Sequence, residues 1–153
     1  MKKMKRLITV VLAMLLAMTV MACAGKEQEA TYVLEQNGTT ITVVYTAKGD
    51  IVQKQSTHTE MPYTAVGITT AAEAEAMFEP FVATYQGIEG LTHSIEYKDD
   101  MVVENLEIDY QKVNLEDVKE LMGMSFDDNA KNGAKISLKR SGEMLETQGY
   151  VKK

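Results

Sequence analysis

Asn37-Gly38 stands between two alternating runs, and that arrangement narrows the fold more than anything else in the chain. Tyr32 and Leu34 precede it. Ile41, Val43, Tyr45 and Ala47 follow, alternating with Thr40, Thr42, Val44 and Thr46. Asn-Gly accepts the positive φ angles of a tight hairpin turn, and a period of two puts alternate side chains on one side of a strand. The pattern predicts an antiparallel hairpin with one buried face. Lys48-Gly49-Asp50 turns the chain again, into Ile51-Val52 and a polar extended run to Glu60. A second hairpin is expected where Leu91, His93, Ile95 and Tyr97 alternate with Thr92, Ser94, Glu96 and Lys98. Asp99-Asp100 then reverses the chain into a strand whose Val102, Leu106, Ile108 and Tyr110 share a face.

Helices fall between these strand groups. Thr70 and Glu73 form a capping box. After it, Ala74, Met77, Phe78, Phe81 and Tyr85 recur at helical spacing, predicting a helix over 70–86 that buries this stripe on the sheet. Pro80 removes a backbone donor and crowds Ala76, so a kink or break is expected there. Asn114 caps a short helix carrying Leu115, Val118, Leu121 and Met122, which Gly123 ends. The last helix starts near Ser137, with Leu138 and Leu145 inward and Gly149 as its stop. Gly142 lies inside it and costs about 1 kcal/mol against alanine, so that helix must lean on tertiary packing. Hairpins separated by helices read as α+β, with two to three helices on one face of an antiparallel sheet.

The N-terminus carries a different message. Lys2, Lys3, Lys5 and Arg6 precede an uncharged apolar stretch from Leu7 to Ala22, the form of a secretory signal peptide. The stretch falls short of the ~20 apolar residues that span a bilayer. Val20-Met21-Ala22-Cys23 resembles a bacterial lipobox, which is cut before the cysteine and lipidated on its sulfur. Residues 1–22 are therefore read as signal, 23–30 as lipidated Cys23 with a short polar tether, and 31–153 as one globular domain. Loss of the signal takes four basic residues and no acid, so the net charge of −6 becomes about −10. Such a domain is expected to repel phosphate backbones and anionic lipid heads, which argues against nucleic acid as a partner. Cys23 is the sole cysteine, so stability outside the cell must come from the core without disulfides.

Chemistry is sparse. The chain has no serine-hydrolase elbow, phosphate loop, dinucleotide glycines or paired-cysteine metal site, and no cofactor is expected. Asp127 to Gly133 resembles a calcium loop only superficially, since Lys131 holds an acidic position and Leu138 replaces the closing glutamate. His58 lies on a polar phase and is expected to face solvent. His93 shares the apolar phase and reads as a hydrogen-bonded core histidine. The competing reading is a weak metal site made by His93 with Glu104 or Asn105 from the next strand. An envelope hydrolase could use paired carboxylates such as Glu104 with Asp109 or Glu96, but exposed acids have no evident reason for a raised pKa.

In Gln53-Lys54-Gln55-Ser56-Thr57-His58 neither strand phase is apolar. A strand of this kind is expected to lie at the sheet's margin or to project beyond the helix-covered area, either as a merely polar edge or as an edge that docks an extended segment of a partner. On either reading, truncating Gln55 should change stability little.

Tyr45-Thr46-Ala47-Lys48-Gly49-Asp50, Met61-Pro62-Tyr63, Tyr85-Gln86-Gly87-Ile88-Glu89-Gly90, Tyr97-Lys98-Asp99-Asp100 and Ser137-Leu138-Lys139-Arg140-Ser141 together resemble the YehR-like lipoproteins. These are small bacterial envelope proteins built on one domain of unknown function. The resemblance spans nearly the whole mature chain. It implies a lipid-anchored α+β domain without assigned substrate or catalytic residues. The expected role is a binding or structural module on the extracytoplasmic side of a membrane. It is expected to be held there through Cys23 and to contact another envelope protein, a glycan or a small ligand. Enzymatic activity is not expected, with the carboxylate hydrolase as the alternative.

Overall fold

A computed structural model of the chain describes residues 25–121 and 135–153. The expected hairpins form, and they join into one six-stranded sheet. Its strands are β1 (Glu27–Gln36), β2 (Thr39–Lys48), β3 (Ile51–Pro62), β4 (Leu91–Tyr97), β5 (Met101–Asp109) and β6 (Val151–Lys152). Their order across the sheet is β4-β5-β3-β2-β1-β6, and every pairing is antiparallel. Asn37 and Gly38 take φ of 53° and 81°, the conformation the first turn requires.

The helices are α1 (Ala71–Thr84), α2 (Leu115–Leu121) and α3 (Leu138–Thr147). All three pack on one face of the sheet, as expected. Leu138 and Leu145 of α3 join Ala30, Tyr32, Val43, Tyr45 and Ala47 over β1 and β2. Ala74 and Phe78 of α1 join Val102, Ile95 and Tyr97 over β4 and β5, and Val118 of α2 joins Ile108 beside them. The capping box forms in full, with both Thr69 and Thr70 backbone N–H groups donating to Glu73. Likewise Ser137 Oγ accepts from the backbone N–H of Arg140.

Three expectations need correction. First, β3 is not an edge strand. It pairs with β2 on one side and β5 on the other, so the backbone groups of Gln53 to His58 face neighbouring strands on both sides. Its polar sequence has another cause. The α3 cluster covers β1–β2 and the α1 and α2 clusters cover β4–β5, leaving the middle of β3 beneath the seam between them. There Gln55 is buried, accepts from the Tyr110 hydroxyl at 2.7 Å and donates to Thr57. Burial raises the Tyr110 pKa well above the ordinary phenol value.

Second, the buried stripe of α1 is shifted from the expected face, although Ala74, Phe78 and Tyr85 do turn inward. Ala74 is fully buried and Phe78, Val82 and Tyr85 are half-buried, whereas Met77 is 40% exposed and Phe81 62% exposed. The helix also runs unbroken through Pro80. Pro80 and Ala76 are both exposed, so water can serve the carbonyl that the proline leaves without a donor.

Third, the tether is shorter than expected. β1 starts at Glu27, and the carbonyl of Lys26 already accepts from Gly49 N–H at 3.1 Å. The calcium-like loop from Asp127 to Gly133, the expected end of the second helix at Met122-Gly123 and the expected lipidation site Cys23 lie outside the described residues.

Candidate functional site

The pleat and the register sort the polar residues onto two faces. Across the helix-free face, Ser94, Asn105, His58 and Thr42 stand opposite one another on β4, β5, β3 and β2. His58 Nδ1 is 2.7 Å from Asn105 Oδ1, and Asn105 Nδ2 donates to Ser94 Oγ at 3.5 Å. Glu60 is 3.6 Å from the other ring nitrogen. On the next phases lie Ser56, Thr40 and Thr46, with Lys54 paired to Glu107 at 3.5 Å. No described helix packs on this face, and most of its side chains are exposed or half-buried.

His93 faces the helices instead. Its side chain is 6% exposed, Nε2 lies 2.8 Å from Glu104 Oε1, and the ring sits on Tyr85 with centroids 4.6 Å apart. Burial, and then the Glu104 carboxylate, raises the Tyr85 pKa. The pair is satisfied and covered, as expected of a core histidine. Asn105 is on the opposite side of the sheet, so it cannot join His93 around one ion. No group of three ligating side chains occurs among the described residues.

The carboxylate pairing fails on geometry. Glu104 points to the helix face, while Asp109, five residues along the same strand, points to the open face with Glu96. Glu96 stands beside Val103, six residues from Asp109, or about 20 Å along the strand. Asp109 is already engaged, accepting from Gln111 N–H and pairing with Lys112 at 3.4 Å. No two of these acids can flank one bond. A cleft of about 200 Å³ between Leu34, Ile41, Met61 and Val66 is smaller than the ~300–1,000 Å³ of ordinary small-molecule sites.

Of the six residues singled out on β3, Lys54, Ser56 and His58 reach the open face, and Gln55 and Thr57 face the helices. Gln53 is the extra residue of a β-bulge opposite Thr46 and Ala47. The sequence reading missed Asn105 and Ser94 as partners of His58. Only strand register connects residues 47 positions apart, and no local signal carries it.

The comparisons agree with this architecture. A family model described as "Protein of unknown function (DUF1307)" matches residues 28–151. The chain is 45% identical to the uncharacterized lipoprotein Lin0239 of Listeria innocua, over 98% of this chain and 97% of that one. It is 33% identical to the uncharacterized lipoprotein YehR of Escherichia coli, again over 98% and 97%. The NMR structure of E. coli YehR superposes with a TM-score of 0.71 at 30% identity, covering 84% of this chain and 91% of that one. An NMR structure from Streptococcus pneumoniae shares the fold at 14% identity, with a TM-score of 0.56 and coverage of 84% and 86%. With its sequence match, its sheet order and its helices on one face, the chain belongs to the DUF1307 family of YehR-like envelope lipoproteins.

Proposed function

We propose that the chain is exported, acylated on Cys23 and held on the extracytoplasmic side of a membrane. There it binds another envelope component, a protein or a glycan, through the helix-free face of its sheet. The observation that carries this reading is the asymmetry of the sheet. One face carries the three described helices, and the other displays the Ser94–Asn105–His58 row among threonine hydroxyls at the ~4.8 Å spacing of strands. Donors and acceptors repeated on a rigid sheet suit a polar partner gripped at several points, and fixed backbone lowers the entropy lost on binding. The hydrolase alternative is disfavoured because its acids lie on opposite faces or far apart.

Two experiments test the two halves. Metabolic labelling with palmitate should mark the wild type and leave Cys23→Ser unlabelled, and equal labelling would overturn the anchor. A photo-crosslinker placed at Thr42 or Asn105 on intact cells should capture a partner that one placed at Glu79, on α1, does not. Capture should be lost in Ser56→Arg with the domain still folded. Crosslinking of the same species from both faces, or survival of capture in Ser56→Arg, would refute the binding face.

A further inference from the structure

The helix side of the sheet has a gap in its cover. α1 lies over β4 and β5 and α3 over β1 and β2, so their midlines are three strand spacings apart, or about 14 Å. Helices in direct contact sit ~8–10 Å apart. The difference leaves a trough above β3, wide enough for one row of side chains. Burial along the strand shows its floor: Gln55 is buried, whereas Thr57, Thr59 and Met61 are half-buried, as are Ile41 and Leu106 beside them.

Apolar side chains form its walls. Glu75 and Glu79 mark the outer flank of α1, since burial and then Glu75, Glu104 and Glu79 raise the pKa of Tyr97 on the edge strand β4. Met77 and Phe81 occupy the opposite flank, toward β3, and both are exposed. On α3, Gly142 meets Tyr32 of β1 and Ser141 faces the Tyr45 phenol of β2. Met144, three residues past Ser141, is the next step toward β3 and is exposed as well. Beside the β1–β2 turn, Leu34, Ile41, Met61 and Val66 end the trough in the cleft of about 200 Å³. Of the large apolar side chains exposed among the described residues, only Val151, on the outer strand β6, lies elsewhere.

The charge around the trough is one-sided. No Lys or Arg occurs between Lys54 and Lys98, so the far half of β3 and all of α1 carry Glu60, Glu73, Glu75 and Glu79 without a base. Glu35 stands by the β1–β2 turn, and Glu104 rises from the floor beside His93. On α3 the bases Lys139 and Arg140 are confined to the first turn, and Glu143 and Glu146 follow them.

We propose that this trough docks a basic amphipathic segment of another envelope protein. A row of its apolar side chains fills the gap, and its flanking Lys and Arg meet the acidic walls. Other occupants fit the charge poorly. A second copy would set the same acids against these, and the chain's own Met122 to Ala134 has Asp127 and Asp128 next to its apolar residues. Lipid is remote, because the cleft is at the far end of the ten-residue β1 from Gly25, about 30 Å away. The trough is on the helix side, so this inference is independent of what the open face binds.

The test uses the full lipidated chain in phosphatidylcholine nanodiscs, with a photo-crosslinker at Thr84 beside Phe81. The probes are a synthetic amphipathic helix of leucine and lysine and its analogue with glutamate for lysine. Crosslinking to the lysine peptide should exceed that to the glutamate peptide at least about tenfold. Val66→Ser with Phe81→Ser should lower it at least about tenfold, while Val151→Ser leaves it unchanged. Urea midpoints confirm that each variant is folded, and Met77→Gln, which keeps the wall's bulk, should weaken crosslinking in the same direction. Equal yields from the two peptides, or yields indifferent to Val66→Ser with Phe81→Ser, would overturn the docking site. A crosslink that persists in excess peptide and maps to Met122–Ala134, to a second copy or to lipid would overturn the occupant. On intact cells the captured peptide should come from another protein and join Lys or Arg to apolar residues; an acidic or wholly polar segment would refute the proposal.

Discussion

Replacing Gly142 by alanine sets two opposed contributions against each other. In an isolated helix the change is favourable by about 0.8–1 kcal/mol, because alanine gives up less backbone freedom. In the folded domain Gly142 is buried where α3 crosses β1, and an ideal Cβ there would lie inside van der Waals contact with Tyr32 Oη and Cζ. Tyr32 has little room to yield. It is 3% exposed, edge-on to Tyr45 with centroids 6.1 Å apart, and capped by Lys152. Nor can α3 readily lift, since Asp50 holds its first turn through Ser137 and Lys139. Overpacking a tight core costs about 1–3 kcal/mol, and an overlap with a ring atom belongs near the top of that range. The net expectation is a loss of about 2 kcal/mol, or roughly 8 °C in Tm for a domain of this size. Urea denaturation of Gly142→Ala measures it. Adding Tyr32→Phe removes the nearest overlapping atom and should return part of the loss, a coupling that a double-mutant cycle isolates. A Gly142→Ala domain more stable than wild type would show that helix propensity governs this position and that the packing argument is wrong.

Three further outcomes follow from the same geometry. Phe81→Ala should cost less than about 1 kcal/mol, while Phe78→Ala, against Ile95 and Tyr97, should cost about 2–4; the reverse order in urea titrations would restore the face expected from sequence. Gln55→Ala leaves the Tyr110 hydroxyl without its acceptor and should cost about 1–3 kcal/mol, partly recovered by adding Tyr110→Phe; a cost near zero would mean water takes the place of Gln55. The Asp50 carboxyl is held below its ordinary pKa, so its stabilisation is present above about pH 4 and is lost as pH falls through the depressed value. The stability gap between wild type and Asp50→Asn should accordingly be constant between about pH 5 and 7 and close in acid; a gap that persists unchanged to pH 2 would remove Asp50 from the account.

Local chemistry made several features legible. Asn37-Gly38, the Thr70–Glu73 capping box and Ser137 before α3 each act within a few residues, so their geometry follows from their own spacing. The same holds for the alternation in β2 and β4, because period two survives whichever strand lies alongside. Helical spacing identified α1 but not its rotation. Met77 and Phe81 are as apolar as Phe78, and only the shape of the surface supplied by Ile95, Tyr97 and Val102 selects which of them is buried.

The sequence by itself carried the reading of an export signal ending at a lone cysteine, and it determined the hairpins and the α+β class, since each is written in contiguous residues. Only the tertiary structure decided strand order, and with it three matters of consequence. It placed the polar β3 in the middle of the sheet, beneath a seam between helices, where burial on one side is met by hydrogen bonds through Gln55. It set Glu104 on the opposite side from Asp109 and Asn105, and so separated groups that a linear reading could pair. It also made Gly142 a packing requirement, because Tyr32, 110 residues earlier, occupies the space a side chain would need. The physical reason is common to all three: each depends on which strand or helix stands opposite, and that is fixed by how the whole chain shares its apolar surface.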